Sequence, residues 1–216
     1  MPDKNKISGR FITVEGIEGA GKSTCVNFIR ERLIGAGKSV VVTREPGGTA
    51  LGERLRHLLL DHRQEAICPD AELLLMFAAR AEHLARVILP ALRAGQWVLC
   101  DRFTTASYAY QGGGRGVDSA RIAALEDWTQ GALRPDLTLL LDLPVALGLE
   151  RAGKRSEPDR FERETMEFFE RVRESYLQQA HQHPRRHSVI NATRPLAEVE
   201  AQIVQALAKL LTGALT

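Results

Sequence analysis

Apolar positions along the chain alternate between two patterns. Five short runs, Phe11 to Glu15, Ser39 to Thr43, Trp97 to Asp101, Leu137 to Asp142 and His187 to Asn191, are mostly apolar at both odd and even positions. Strands covered by helices on both faces read this way. Between them lie stretches of helical periodicity: Lys22 to Ala36, Gly52 to Leu60, Asp70 to Ala94, Asp118 to Leu133, Val145 to Ala152, Arg160 to Gln182 and Pro195 to Leu211. Parallel neighbours need crossover connections, so the alternation predicts an α/β fold with a five-stranded parallel sheet flanked by helices. Breakers agree with these limits: Gly35-Ala36-Gly37 closes the first helix, Gly95 the third, and Arg134-Pro135-Asp136 leads into the fourth strand.

Two segments depart from the simple stripe. Leu73 to Ala79 is apolar all round, which marks a helix buried on more than one side, a central core helix that is also compatible with a subunit interface. Arg151 to Arg163 carries Arg, Lys, Glu and Asp around Gly153 and Pro158 and offers little to bury, so it reads as a mobile charged excursion.

At 216 residues the chain suffices for one domain, 1–216, with a small lid at about 151–163. A hydrophobic share of 44% and a charged share of 26% exclude disordered and disulfide-scaffold classes. The net charge of +2 is too balanced for a nucleic-acid coat, so any anion binding is local and no nucleic-acid partner is expected. Of the basic residues 23 are Arg and 6 are Lys; the surplus fits bidentate phosphate contacts and composition bias equally well. Cys25, Cys68 and Cys100 have neither disulfide nor metal-ligand spacing, which suggests reduced thiols and a cytoplasmic location. No apolar run follows the basic residues near Met1, and no stretch is long enough to span a membrane, so export and membrane anchoring are not expected.

Directly after the first strand stands Gly16-Ile17-Glu18-Gly19-Ala20-Gly21-Lys22-Ser23, followed by Thr24, a match to G-x-x-x-x-G-K-[ST]. Glycines let backbone N–H groups crowd a phosphate, and the helix N-terminus adds its dipole. Lys22 then meets the β- and γ-phosphates and the Ser23 hydroxyl can ligate Mg²⁺. These features predict nucleoside triphosphate binding. The ion also needs a carboxylate, and two strands end in Asp, Asp101 and Asp142. Asp101 is preferred because Arg102 follows it, setting a metal-side carboxylate beside a phosphate-side guanidinium.

Four further pieces complete a recognisable set: Arg44-Glu45-Pro46-Gly47-Gly48-Thr49, Phe77-Ala78-Ala79-Arg80, Asp101-Arg102-Phe103, and Tyr110-Gln111 with Gly112 to Gly116. With the phosphate loop, and in this order from about Phe11 to about Leu211, the chain resembles the bacterial thymidylate kinases, which make dTDP from dTMP. The resemblance implies a three-layer P-loop NTPase fold, ATP as donor, Mg²⁺, dTMP as acceptor and a homodimer. It assigns thymine stacking to Phe77, a hydrogen bond to a thymine oxygen to Arg80, clamps on the acceptor phosphate to Arg44 and Arg102, and the sugar 3′-hydroxyl to Glu18. Pro46 belongs to the acceptor-side turn, Ser107 and Gln111 to the thymine N3 edge, and Tyr110 to crowding of the sugar 2′ position.

The loop itself lacks an Arg, and in this family the lid then supplies one; Arg155 is the choice, with Arg151 and Arg160 in support. Lys22, Arg102, Arg155 and Glu18 form the implied catalytic set. Gly112 to Gly116 reads as a flexible loop over the acceptor site. His181, His183 and His187 enclose two Arg and read as a polar helix-ending loop, not a metal site. Competing readings are a kinase for another nucleoside monophosphate and a nucleotide-dependent switch or binding module, the latter leaving Arg80, Arg102 and the lid without a task.

Overall fold

A computed structural model describes residues 7–61, 66–153 and 159–211. Five strands, β1 (Phe11–Glu15), β2 (Val40–Arg44), β3 (Trp97–Asp101), β4 (Leu137–Asp142) and β5 (His187–Asn191), form one parallel sheet in the order β2-β3-β1-β4-β5. The chain moves from β1 to one side, then returns past it to build the other. That reversal opens a crevice at the carboxyl ends of β1, β3 and β4, the usual ligand position in open α/β sheets.

Strand β1 is buried throughout, and Thr13 in it donates to Thr138 of β4 across 2.9 Å, so the one polar pair in the central strands is satisfied. Ile12 and Val14 pack with Ile29, Leu33, Leu139 and Ile203 on one face, while Phe11, Val98 and Cys100 meet Leu84, Ile88 and Leu92 on the other. Only the inner strands have both faces covered. The edges β2 and β5 leave Val42 and Val189 exposed, a correction to the expectation that all five are sandwiched.

Helices α1 (Lys22–Gly35), α2 (Ala50–Leu60) and α3 (Pro69–His83) precede β3. The long helix expected over 70–94 is broken: α3 passes into a π-helical turn at Leu84–Ile88 and then α4 (Leu89–Arg93). Pro90 has no N–H to give the residue one turn back, and the register change sits just before it. The apolar α3 buries Leu73, Phe77 and Ala79 but exposes Leu74 at 56%.

After β3 the chain forms α5 (Thr104–Ser107) and a second π-helical segment, Tyr108–Gly114, before α6 (Ser119–Gln130), α7 (Val145–Gly153), α8 (Met166–Gln182) and α9 (Leu196–Leu211). The glycine run read as a flexible loop is therefore largely helical. A Cβ at Gly113 would lie 2.7 Å from Ser175 Cβ, and one at Gly114 would lie 2.5 Å from the Phe168 ring, so these glycines admit the close approach of α8. Helix α8 starts at 166, not 160, because Thr165 caps it and Asp159 turns the preceding chain by accepting from the N–H groups of Phe161 and Glu162. Among the described residues no helix is long and apolar enough to cross a membrane.

Candidate active site

The turn between β1 and α1 lies on α7. A Cβ at Gly19 would stand 1.9 Å from the Gly148 carbonyl oxygen, and one at Gly148 would stand 2.7 Å from that of Glu18. Two glycines facing each other thus let the loop seat directly on a helix backbone. Ile17 and Ala20 are buried, leaving main chain to form the cradle. Lys22 donates from Nζ to the carbonyls of Gly16 (3.0 Å) and Ile17 (2.8 Å). Burial, helped by the Arg102 charge, lowers its pKa to about 8 against the pull of Glu18, Asp101 and Glu15. Ser23 lines the cleft beside it and Thr24 is exposed one residue on.

The two strand-ending aspartates differ. Asp142 is held by Arg173 through bonds of 2.7 and 3.0 Å. Asp101 lines the cleft, and its buried Oδ1 has no hydrogen-bond partner. A buried carboxylate oxygen without a donor suits a cation. Together with the Ser23 hydroxyl it fits a Mg²⁺ that keeps water and phosphate oxygens in its shell, and no cluster of three or more His, Cys, Asp or Glu among the described residues offers a full protein cage.

Arg102, next to Asp101, has left-handed backbone although it is not a glycine, φ 68°. Its guanidinium donates to Glu18 Oε1 at 2.8 Å and to Tyr176 Oη at 3.0 Å, and lies 4.9 Å from the Tyr110 ring centroid. Tyr110 donates to the other Glu18 oxygen at 2.6 Å. Beneath them Glu15, fully buried, accepts from the Phe103 N–H at 2.7 Å and from Tyr176 at 3.0 Å. Burial raises its pKa to about 7 although Arg102 and both hydrogen bonds oppose the rise.

These groups wall one end of a cleft of about 260 Å³. At the other end Arg80, 2% exposed, donates from Nε to Glu45 (2.7 Å) and from Nη2 to Ser107 (3.0 Å), while its buried Nη1 has no partner. Arg44, Pro46, Tyr110 and Gln111 also line the cleft. Arg44 is paired with Glu53 at 2.8 Å rather than with its neighbour Glu45.

Several of the predicted residues already have partners within the protein. Phe77 is 2% exposed, with the Arg80 guanidinium 4.5 Å from its ring centroid, and its neighbour Met76 lines the cleft. Ser107 serves Arg80, and Gln111 donates to the buried Glu72 at 3.0 Å. Arg151 points to the Ala192 carbonyl, 3.1 Å away, and is not part of the cleft wall. Arg160 donates to Leu59 O (2.7 Å) and Glu72 (2.6 Å), and Phe161 is buried edge-on against Tyr110 at 5.7 Å. This end of the charged excursion is therefore anchored, because an aromatic ring and a paired guanidinium gave it something to bury. Arg155 lies outside the described residues.

Arg56 and Glu15 belong to the site without any sequence motif of their own. Arg56 lines the cleft and donates to Pro46 O at 3.0 Å, but on α2 it looked like any surface Arg. Glu15 was hidden in an apolar strand; its position directly ahead of the phosphate loop was the only signal.

The family model described as "Thymidylate kinase" matches residues 14–203. Curated relatives include a thymidylate kinase of Alkalilimnicola ehrlichii, 60% identical over 205 residues covering 94% of each chain, and one of Pseudomonas entomophila, 60% identical over 197 residues covering 91% of this chain and 94% of that one. A solved thymidylate kinase from Ehrlichia chaffeensis superposes with a TM-score of 0.75 at 34% identity, covering 93% of this chain and 99% of the other.

Proposed function

The chain belongs to the thymidylate kinase family of nucleoside monophosphate kinases, and from that footing we propose how its cleft moves the γ-phosphate of ATP to dTMP. The observation that carries the reading is one cleft lined by Lys22 of the phosphate loop, by Arg102 and by Arg80, whose Nη1 has no partner within the protein. The loop amides and Lys22 take the ATP phosphates. The base of dTMP sits toward Arg80, whose free Nη1 meets an oxygen of thymine, with Phe77 supporting the guanidinium from behind. Arg44 and Arg102 clamp the acceptor phosphate, Glu18 meets the 3′-hydroxyl, and Tyr110 crowds the 2′ position.

Transfer is direct and in line. A phosphate whose second pKa is about 6 is already ionised at neutral pH, so no protein base is required. The work of the protein is positioning and charge: Lys22, Arg102 and an Arg of the lid, Arg155 by sequence, offset the negative charge that spreads over the moving phosphoryl group. Ser23 and Asp101 would hold a Mg²⁺, which would supply positive charge beside the donor phosphates. The segment proposed as the lid of this single domain, about 151–163, excludes water and limits hydrolysis, with its Arg160–Phe161 end already seated against Glu72 and Tyr110.

The exposed apolar side chains Leu51, Leu58, Leu74 and Trp128 on α2, α3 and α6 support a homodimer. Balanced charge and buried Cys25 and Cys100 thiols support a cytoplasmic enzyme with no nucleic-acid or membrane partner. The test is a coupled assay for ADP formation with ATP, Mg²⁺ and each nucleoside monophosphate in turn. The expected result is a clear kcat/KM preference for dTMP, with all turnover lost on adding EDTA; comparable values for a purine monophosphate would overturn it.

A further inference from the structure

Behind the cleft, four side chains form a relay that ends on Arg80. Thr43, on β2, lies 2.6 Å from Nε2 of His83, on α3. Nδ1 of His83 lies 2.9 Å from Glu45 Oε1, and Glu45 Oε2 accepts from Arg80 Nε at 2.7 Å. Whichever way the Thr43 hydroxyl and Nε2 share their proton, Nδ1–H is the donor to the carboxylate. His83 is fully buried, Glu45 is 5% exposed, and His83 does not line the cleft. Gly48 presses on the relay from outside: a Cβ there would stand 2.6 Å from His83 Nε2 and 2.7 Å from Thr43 Oγ1. The Glu45 backbone is pinned too, its N–H donating to Asp101 O at 2.9 Å.

A guanidinium is planar, so fixing two of its edges fixes where the third points. Glu45 holds the Nε edge of Arg80 and Ser107 holds Nη2, which leaves Nη1 aimed and unpaired. Glu45 itself can turn about its terminal bonds unless its second oxygen is held, and His83 is what holds it. We propose that His83, steadied by Thr43, is a positioning residue that sets the base-reading edge of Arg80 through Glu45 and thereby sharpens selection of thymine over cytosine. The proposal rests on the reading that Arg80 Nη1 meets the O4 oxygen of the base. Cytosine offers an amino group where thymine offers its O4 oxygen, so an aimed donor meets another donor, and a loosely held Arg80 can swing away from that conflict.

Steady-state kinetics with dTMP, dCMP and ATP in the intact enzyme test this, alongside thermal melting of each variant. His83→Gln places its amide away from Glu45; it should raise KM for dTMP about tenfold, keep kcat within about threefold, and shrink the dTMP over dCMP preference about tenfold. KM for ATP should not move. His83→Asn puts an amide nitrogen near the Nδ1 position and should hold KM for dTMP within about threefold of wild type, although its melting temperature falls as far as that of His83→Gln. Equal KM for both variants, or a lowered melting temperature with unchanged KM and preference in His83→Gln, overturns the proposal. Should neither His83 variant fold, Thr43→Val decides: it should raise KM for dTMP about threefold with KM for ATP unchanged, and no change overturns the relay. Arg80→Lys separates the two levels. If it leaves KM for dTMP and the preference untouched, the base-reading assignment of Arg80 falls and the relay with it; if it disturbs them while His83→Gln does not, only the relay falls.

Discussion

Replacing Glu15 with Gln should change how the stability of the enzyme depends on pH. Glu15 ends β1 inside the protein, with its oxygens committed to the Phe103 N–H and the Tyr176 hydroxyl. Burial lifts its pKa from 4.5 to about 7, and the nearby Asp101 charge adds to the rise, whereas Arg102 and the two hydrogen bonds work the other way. The folded protein therefore holds this proton more tightly than the unfolded chain does. Its contribution to stability is complete below pH 4.5 and is lost as pH climbs through 7. At about 1.4 kcal/mol per pH unit of pKa difference, the loss amounts to roughly 3 kcal/mol by pH 8.

Glu15→Gln cannot titrate, so that slope vanishes. Its carbonyl oxygen can still accept from Phe103, but its NH₂ group faces the Tyr176 oxygen and deprives that hydroxyl of an acceptor, a defect of about 1 kcal/mol. The variant should be less stable than wild type by just under about 1 kcal/mol at pH 4 and more stable by about 2 kcal/mol at pH 8, with the curves crossing between about pH 5 and 6. Urea unfolding of both proteins at equal concentration, from pH 4 to 8, measures this directly. Parallel curves across that range would refute the reasoning, because they would mean that Glu15 ionises without penalty in the folded state.

Three further perturbations test other parts of the site. With the Lys22 pKa lowered to about 8, about half of the free enzyme lacks that proton at pH 8, and a phosphate chain against Nζ restores it; calorimetry of ATP binding in two buffers at pH 8 should show uptake approaching half a proton, absent in Lys22→Met. Asp101→Asn should raise the Mg²⁺ concentration needed for half-maximal rate at least about tenfold, while Asp142→Asn, which only frees Arg173, should alter stability by about 1 kcal/mol or less and leave the Mg²⁺ requirement unchanged. Equal responses would refute the choice of Asp101. Gly148→Ala adds a methyl 2.7 Å from the Glu18 carbonyl and should weaken ATP binding more than dTMP binding, checked by separate titrations of each nucleotide.

What could be read from the chain divides along a physical line. The phosphate loop, its flanking strand and helix, and Asp101-Arg102 are legible because each acts within a few residues, where glycine placement, a strand end and a helix start fix the geometry locally. Asp101 and Asp142 both end strands, and the adjacent Arg102 favours Asp101 from sequence alone, but the ion pair that occupies Asp142 comes from Arg173, far along the chain on α8. Glu15, Arg56 and His83 were silent for the same reason: a buried acid in an apolar strand, an Arg on an amphipathic helix and a His in a core helix acquire meaning only from partners on other elements. Gly113 and Gly114 were misread because glycine serves flexibility and close packing alike, and only the proximity of Phe168 and Ser175 distinguishes the two. The same division orders the consequences of substitution. Changes in the loop should strike the chemistry itself, whereas changes in Glu15 or His83 should act through Tyr176 or Glu45 on the aim of a guanidinium, so their effects should appear as altered pH profiles and substrate preference before turnover is lost.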